Sequence, residues 1–367
     1  MPNQEQEKIL LKYSLTQKEI EDITQTILHT LTYNKLPSSS PLAIIVGGQP
    51  GAGKTALINY TTSLSSSRNF ITIDNDFFRN FHPKAREIKA NYPQYFTLAT
   101  DQLGMGITSN VINYCVDNKY DIILHQTLKN SRIGDDAIAQ LRDSGYTVGV
   151  RVFAVPFFES AMSQIERYLG QAEKLGYCRY ATPEGHLTAY LGLPKTVDYL
   201  EQNGLYDFMQ VYKRGKDIAH PKLVYTKFNP QTEEKTTNVL SNCENAPYET
   251  NTNGFLSAKD AVLKTRAFEA KKLKPEIESR ITEATLNPYN NPNIQLRIDE
   301  LEQSLSITGS NKPLPLQILE IKPFENKPDV NEYIASLKES ILPTQNSSVN
   351  IQQVHNTAQT VTVQEQL

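Results

Sequence analysis

The feature that most constrains the fold of this 367-residue chain is the glycine-rich stretch GQPGAGKT, which follows an apolar run at residues 42–46. It matches the pattern GxxxxGK[ST] between a predicted strand and a predicted helix, the context that this phosphate-binding motif requires. Its glycines let backbone amides turn toward an anion, and the helix N-terminus adds positive potential. We predict that Lys54 reaches the β- and γ-phosphates of a nucleotide and that Thr55 ligates Mg²⁺. The predicted nucleotide-binding residues are Gly48, Gln49, Pro50, Gly51, Ala52, Gly53, Lys54 and Thr55.

The pattern of apolar runs around this motif predicts an α/β fold. The runs are continuous rather than alternating, as expected of strands buried on both faces of a parallel sheet. They lie at residues 42–46, 70–73, 121–124 and 148–155, with helical segments at 54–64, 102–118 and 133–144. Strands that alternate with helices in this way predict a three-layer sandwich with a mainly parallel sheet.

Four regions are predicted along the chain. Residues 1–36 read as an N-terminal helical segment, and residues 37–215 as the phosphate-binding domain. Residues 216–343 read as an accessory C-terminal region with two strands around a turn at Asn229 and Pro230, a charged helix at 257–285 and another helix at 331–342. Residues 344–367 are predicted to be disordered, because they cannot bury enough apolar area to offset their ordering entropy.

Composition limits the classes of partner and compartment. A formal charge of −3 gives no global basic field, so no nucleic-acid partner is expected. Three widely spaced cysteines form no CxxC pair and indicate a reducing compartment. No stretch reads as a signal peptide or as a membrane span, so we predict a cytoplasmic protein with no membrane partner.

Two acids follow the predicted strand at residues 70–73. Ligands of open α/β sheets gather at the carboxyl ends of the strands, so Asp74 and Asp76 should face the nucleotide phosphates. Phosphoryl transfer needs a carboxylate that orients the attacking hydroxyl and a cation that screens the developing charge. Either acid is a candidate base, and Asp74 is also a candidate metal ligand.

Two short matches imitate GTPase motifs. Residues 101–104 match DxxG and residues 118–121 match NKxD. However, the second match precedes an apolar run, whereas guanine recognition requires it after a strand, at the ligand edge of the sheet. We interpret both as chance matches.

Four ordered blocks resemble the zeta toxin family of P-loop kinases, the toxic halves of bacterial toxin–antitoxin modules. The blocks are GQPGAGKT, then IDNDFFRNFHP, then VFAVP with IERY, and finally CRYATPEGH. Together they extend over about residues 40–215, which identifies the phosphate-binding domain as a kinase domain of this type.

The resemblance implies an enzyme that transfers the γ-phosphate of ATP to a hydroxyl of a small metabolite, such as UDP-N-acetylglucosamine. It implies Mg²⁺ as a cofactor and an antitoxin protein as a partner. It makes Asp76 the catalytic base, and Lys54 and Thr55 the phosphate and metal contacts. Arg167 and Arg179 match the two arginines that clamp the transferred phosphoryl group.

The acceptor side departs from the family pattern. Where the family has a glutamate after its third strand, this chain has His125, and Ser109 falls near the position of another expected glutamate. Neither can accept the hydrogen bonds of a carboxylate, which favours a different acceptor. Thr127 and Lys129 are predicted acceptor contacts, while His125 either contacts the acceptor or is a satisfied histidine at a strand end. Arg79 is predicted either to bind substrate phosphate or to pair with Asp76.

Two alternative functions follow from these departures. The chain could be a regulatory or effector protein that binds ATP but has an altered acceptor site. It could also be a kinase for a different small molecule, such as an antibiotic or a nucleoside.

Overall fold

A computed structural model describes most of the first 269 residues. The described residues are 4–65, 67–92, 95–104, 106–130, 132–157, 159–160, 163, 167, 183–215, 219–241 and 250–269, with residues 132–136 and 183–184 described as backbone only. In chain order the elements are α1 (Gln4–Tyr13), α2 (Gln17–Thr32), β1 (Leu42–Gly47), α3 (Lys54–Leu64), β2 (Ile71–Ile73), α4 (Asn75–Phe78), a 3₁₀ turn (Arg79–Phe81), α5 (Ala85–Asn91), α6 (Phe96–Ala99), α7 (Asp101–Gly104), α8 (Thr108–Asp117), β3 (Ile122–Gln126), α9 (Arg132–Asp143), β4 (Thr147–Phe153), α10 (Pro183–Gln202), β5 (Phe208–Lys213), β6 (Lys222–Phe228), α11 (Glu233–Leu240) and α12 (258–269).

One six-stranded sheet organises the fold, in the order β2-β3-β1-β4-β5-β6. The first five strands are parallel, and β6 pairs antiparallel with β5 at one edge. Strand β1 lies between β3 and β4, with Val46 opposite His125 and Gly47 opposite Gln126 on β3. The carboxyl ends of β1, β2 and β3 therefore meet at one edge. The predicted mainly parallel, P-loop kinase-like α/β fold is confirmed.

Helices cover both faces of this sheet, which explains why the strands are apolar without alternation. Ala43 and Ile45 of β1 belong to one core cluster, which includes residues of α2, α8, α9, α10 and α12. Leu42, Ile44 and Val46 belong to the opposite cluster, which includes residues of α3 and α11. Every residue of β1 is buried, so the strand that carries the phosphate loop is fixed from both sides.

The N-terminal helices form a third, smaller cluster. Ile9 and Tyr13 of α1 pack with Ile88 of α5 and Ala99 of α6. A capping box at Thr16 starts α2 and sets the direction of that helix. Both α1 and α2 lie within the segment 1–36 that the sequence analysis treats as N-terminal helices. None of the described helices is both long and apolar enough to cross a membrane.

The helix predicted at residues 102–118 is instead two helices, α7 and α8. The chain turns tightly between them: a Cβ on Gly106 would lie 2.4 Å from the carbonyl oxygen of Gln102. Such a close approach to the backbone requires glycine, and the apolar spacing of the segment does not reveal it.

The hairpin predicted at residues 220–240 is wrong. Lys222–Phe228 does form a strand, but it pairs with β5, which the sequence analysis missed, and Glu233–Leu240 is a helix. The predicted boundary at residue 216 thus falls between two strands that pair in one sheet. Of the predicted helix at 257–285, residues 258–269 are helical and residue 257 precedes the helix. Residues 270–285 lie outside the described residues, as do the predictions for 331–342 and 344–367.

The structure confirms that the GTPase-like matches are fortuitous. Asp121 immediately precedes β3, at the opposite edge of the sheet from the phosphate loop. Its carboxylate accepts hydrogen bonds from the Leu42 N–H and the Arg68 guanidinium, both at 2.8 Å. Asp101 of the other match binds Arg79 at 3.0 Å. Both acids therefore have structural partners.

The Asp121 contact leads to a stability prediction. Asp121→Asn leaves the buried Arg68 without its counter-charge, so we expect the free energy of unfolding in urea to fall by about 3 kcal/mol. Asp117→Asn, at an exposed position four residues earlier, is the matched control and should change it by less than about 0.5 kcal/mol. A variant as stable as the wild type, but with altered preference between ATP and GTP, would contradict this structural role.

Candidate active site

The phosphate loop connects β1 to α3. Gly51 and Gly53 have φ values of 76° and 99°, a left-handed region that is unfavourable for other residues, so the motif needs glycine at both positions. Helix α3 begins at Lys54, whose ammonium donates to the carbonyl oxygens of Gly48 (2.8 Å) and Gln49 (3.2 Å). A cation, a helix N-terminus and a glycine-rich turn therefore converge at one point, as a phosphate site requires.

Gln49 supports this loop from within the protein. Its side chain is completely buried and donates to the carbonyl oxygen of Val155 (2.8 Å) and to Ser160 Oγ (3.1 Å). Its Oε1 accepts from the guanidinium of Arg266 on α12 at 3.0 Å. The Gln49 side chain thus anchors the loop, and any contact with a nucleotide falls to its backbone.

A buried histidine extends the same hydrogen-bond network. His186 of α10 contacts Ser160 Oγ through Nε2 at 2.9 Å and stacks edge-on against Phe157. Burial, together with the positive charges of Lys54 and Arg266, lowers the pKa of His186 to about 3. His186 is therefore neutral near pH 7, and its role is structural rather than that of a proton donor.

Arg214 supports the outer side of the loop. It lies directly after β5 and donates to the carbonyl oxygens of Gly51 (2.6 Å) and Ala52 (3.5 Å). The same guanidinium pairs with Glu159 at 3.1 Å. Arg214 was not predicted as a site residue because β5 was not predicted; a predicted strand at 208–213 would have placed this arginine at the ligand edge.

Asp74 joins the ends of β2 and β3. One carboxylate oxygen caps α4 by accepting from the Asp76 N–H at 3.0 Å, and the other lies 3.0 Å from His125 Nδ1. Because a carboxylate accepts hydrogen bonds, His125 donates through Nδ1, which leaves Nε2 of the neutral ring as an acceptor. Among the described residues, Nε2 has no hydrogen-bond partner and is buried. His125 is thus a strand-end histidine that is only half satisfied.

Asp76 lies on α4, at the same edge of the sheet as the phosphate loop and with β3 between its strand and β1. Its side chain is 29% exposed, so it can be reached by a ligand. The neighbouring Asn75 is held by Thr108 Oγ1 at 2.9 Å, which fixes the start of the helix. The structure thus brings the predicted base and the phosphate loop to one edge.

Of the two roles predicted for Arg79, the pairing with Asp76 is confirmed, at 3.5 Å from Nε. The guanidinium is buried and also donates to the Thr97 carbonyl oxygen and to Asp101. A Cβ on Gly104 would lie 2.3 Å from its Cζ. Arg79 therefore connects α4 to α6 and α7, and the structure does not present it to a substrate.

The predicted acceptor contacts follow β3. Leu128 has a φ of 51° and is buried, and its Cδ1 would lie 2.3 Å from a Cβ on Gly47. Thr127 and Lys129 therefore flank a turn that packs on the start of the phosphate loop, with Thr127 half-buried and Lys129 exposed. Ser109, the second residue of α8, is exposed.

The two predicted arginine clamps are only partly described. Arg167 is helical, while its flanking residues lie outside the described part of the chain, and Arg179 itself lies outside it. Their predicted roles therefore stay predictions.

The Mg²⁺ prediction fits the donors that are present. Within the described ranges, no group of three or more histidine, cysteine, aspartate or glutamate side chains could hold a metal ion. Mg²⁺ bound to a nucleotide normally keeps several waters and takes only one or two protein ligands beside the phosphates. Thr55, exposed on the first turn of α3, and the 27% exposed carboxylate of Asp74 could supply these ligands.

Comparison with known proteins gives a consistent result. The family model described as Zeta toxin matches residues 24–221, more than half of the chain. The chain belongs to the zeta toxin family. It is 29% identical over 200 residues to Toxin zeta of Streptococcus agalactiae, an alignment that covers 54% of this chain and 69% of that protein. It is 28% identical over 227 residues to Toxin zeta of Streptococcus pyogenes, covering 61% and 79% respectively.

A solved structure supports the fold of the family. The structure from the characterization of the PezAT chromosomal toxin–antitoxin system of Streptococcus pneumoniae superposes with a TM-score of 0.51 at 21% identity. The match covers 72% of this chain and 98% of that chain. At this identity the likeness shows a shared fold.

His186 leads to a pH prediction. Its folded pKa lies below the unfolded value of about 6.5, so between about pH 6.5 and pH 3 the unfolded chain binds a proton that the folded chain does not. Stability therefore falls on acidification, and between pH 7 and pH 5 this histidine should contribute a loss of about 2 kcal/mol. Urea unfolding of the His186→Gln variant should lack that part of the loss. Equal pH dependence of variant and wild type would contradict a neutral buried His186.

Proposed function

We propose that this protein is an ATP-dependent kinase that transfers the γ-phosphate to a hydroxyl of a small metabolite and acts as a bacterial toxin in the cytoplasm. The observation that carries the proposal is the convergence of the phosphate loop and Asp76 at one edge of the sheet. Membership of the zeta toxin family supports the same class of chemistry.

Each residue has a chemical task in this proposal. The Lys54 ammonium and the loop amides hold the terminal phosphates and stabilise the charge that develops during transfer. Asp76 orients the acceptor hydroxyl and accepts its proton. Thr55 and Asp74 would hold Mg²⁺, which would supply positive charge to offset the negative charge of the phosphates. Arg167 and Arg179 are proposed to clamp the transferred group.

The acceptor is proposed to be a nucleotide sugar such as UDP-N-acetylglucosamine, or another small molecule that suits a less acidic site. His125 supports the second possibility, because it stands where the family has a glutamate and an imidazole presents no negatively charged oxygen. Thr127 and Lys129 extend this side of the site. Arg79 is omitted, because its guanidinium is bound to the protein.

A protein partner is also proposed. The structural neighbour comes from a toxin–antitoxin system, which supports an antitoxin that binds this chain and inhibits it. No nucleic acid or membrane is part of the proposal.

The first test removes the two central groups. Lys54→Ala should reduce phosphoryl transfer by about 100- to 1,000-fold, because it removes a cation that stabilises the transition state. Asp76→Asn should reduce it by about 100- to 10,000-fold through loss of the base. Both should also abolish growth inhibition when the protein is expressed in bacteria.

Asp101→Asn is the matched control for Asp76→Asn, since both carboxylates contact Arg79 but Asp101 belongs to no proposed chemical step. It should keep nearly full activity. A Lys54→Ala protein that stays fully toxic would exclude the kinase. If Asp76→Asn and Asp101→Asn lost equal amounts of phosphoryl-transfer activity, the loss would come from a displaced Arg79 and not from removal of the base.

The altered acceptor side favours one alternative, an ATP-binding effector without kinase activity. Incubation of the protein with ATP and a bacterial metabolite extract distinguishes the kinase from the ATP-binding effector. A new phosphorylated metabolite supports the kinase and identifies its acceptor, whereas ATP binding without any product supports the alternative. Purified UDP-N-acetylglucosamine is the first acceptor to test alone.

A further inference from the structure

Arg266 lies far from the phosphate loop in sequence, yet contacts its anchor. It belongs to α12, beyond residue 221, where the match to the family model ends. Its side chain is buried, and one terminal nitrogen donates to Gln49 Oε1 at 3.0 Å while the other donates to the Tyr190 carbonyl oxygen at 2.8 Å. Its guanidinium also lies 4.0 Å from the centroid of the Tyr190 ring. The fork of the guanidinium thus bridges α10 and the loop.

Arg266 carries a buried charge whose partners in the described part of the chain are neutral groups. Among the described residues it forms no ion pair with a carboxylate, and its Nε is buried without a hydrogen-bond partner. Burial lowers its pKa to about 10, so the group still carries its charge near neutral pH. A buried cation without a counter-charge is costly, and a structural role alone would be served as well by a neutral side chain. Its position instead adds positive potential beside a predicted phosphate site.

Gln49 connects Arg266 to Lys54. The Gln49 side chain is held at three points, by Arg266, Val155 and Ser160, while its backbone carbonyl oxygen accepts from Lys54 Nζ at 3.2 Å. The same carbonyl oxygen accepts from the Ala52 N–H at 3.1 Å, which closes the turn. A displacement of Gln49 would therefore shift the carbonyl oxygen that contacts both the Ala52 N–H and the phosphate-binding lysine.

We propose that Arg266 is a positioning residue for the phosphate loop, acting through Gln49, so that α12 is part of the nucleotide-binding unit. The part of this inference that concerns ATP binding rests on the proposed function. The part that concerns the geometry of the phosphate loop does not.

The first measurement uses the full-length protein without nucleotide. Hydrogen–deuterium exchange of the peptides that cover residues 47–55 should be faster in Arg266→Gln than in the wild type. Lys264→Gln is the matched control, because Lys264 lies on the same helix but is exposed and pairs only locally with Asp260. Unchanged exchange in Arg266→Gln would overturn the proposal, whether or not the protein binds ATP.

The second measurement is calorimetric titration with ATP and Mg²⁺. Loss of a charge-assisted hydrogen bond that positions the loop should raise the Kd for ATP by about tenfold or more in Arg266→Gln, with unchanged stoichiometry. A purely structural role would lower the fraction of binding-competent protein, and hence the stoichiometry, at an unchanged Kd. That result would overturn the proposal.

Two further variants complete the test. Arg266→Lys keeps the charge, so this variant should fold even if Arg266→Gln does not. It lacks the forked guanidinium, and its changes in hydrogen exchange and in the Kd for ATP should be smaller than those of Arg266→Gln. In combination with Gln49→Ala, the effect of Arg266→Gln on Kd should largely disappear, because the two residues act in series. Additive effects would contradict action through Gln49. A wild-type protein that fails to bind ATP would exclude the proposed function, while the exchange result would still decide the role of Arg266.

Discussion

The parallel pairing of β1 with β3 and β4 is the constraint on which the site depends. It places the phosphate loop, the end of β3 and the end of β2 at one edge, where three short chain segments supply the site's groups. The His125 contact with Asp74 then joins two of those ends directly, at 3.0 Å. Because both faces of β1 are buried, the loop starts from a rigid base. Helix α3, which begins at Lys54, and helix α4, which Asp74 caps, both start at this edge of the sheet.

The phosphate loop is held by residues that come from much later in the chain. Arg214, after β5, contacts the loop carbonyls from outside, and Arg266, on α12, fixes Gln49 from within. The buried Ser160 contacts the Gln49 side chain and is itself contacted by the buried His186. The motif itself is short and local, but the arginines that contact it lie 163 and 217 positions further along the chain. Strand β6 thus completes the sheet, and α12 contacts the phosphate loop.

The sequence predicted what is encoded locally. The glycines of the phosphate loop, the strand that precedes them and the acids after β2 follow from short patterns with a physical reason, and the structure places them as expected. Strand β5 was missed because its residues, FMQVYK, mix polar and apolar side chains although nearly all are buried. Without β5 neither Arg214 nor the strand partner of β6 could be placed. Arg266 was beyond prediction for another reason, because only tertiary packing determines which face of a charged helix is buried. For Arg79 the sequence left two roles open, and the packing of its buried guanidinium decides between them.

The most direct test of the central claim is an experimental structure with a non-hydrolysable ATP analogue and Mg²⁺. We expect the terminal phosphate about 3 Å from Lys54 Nζ, within hydrogen-bond distance, and the carboxylate of Asp76 facing that phosphate across a gap that admits one hydroxyl group. A terminal phosphate bound away from Lys54, or an Asp76 carboxylate turned away from it, would contradict phosphoryl transfer at this edge of the sheet.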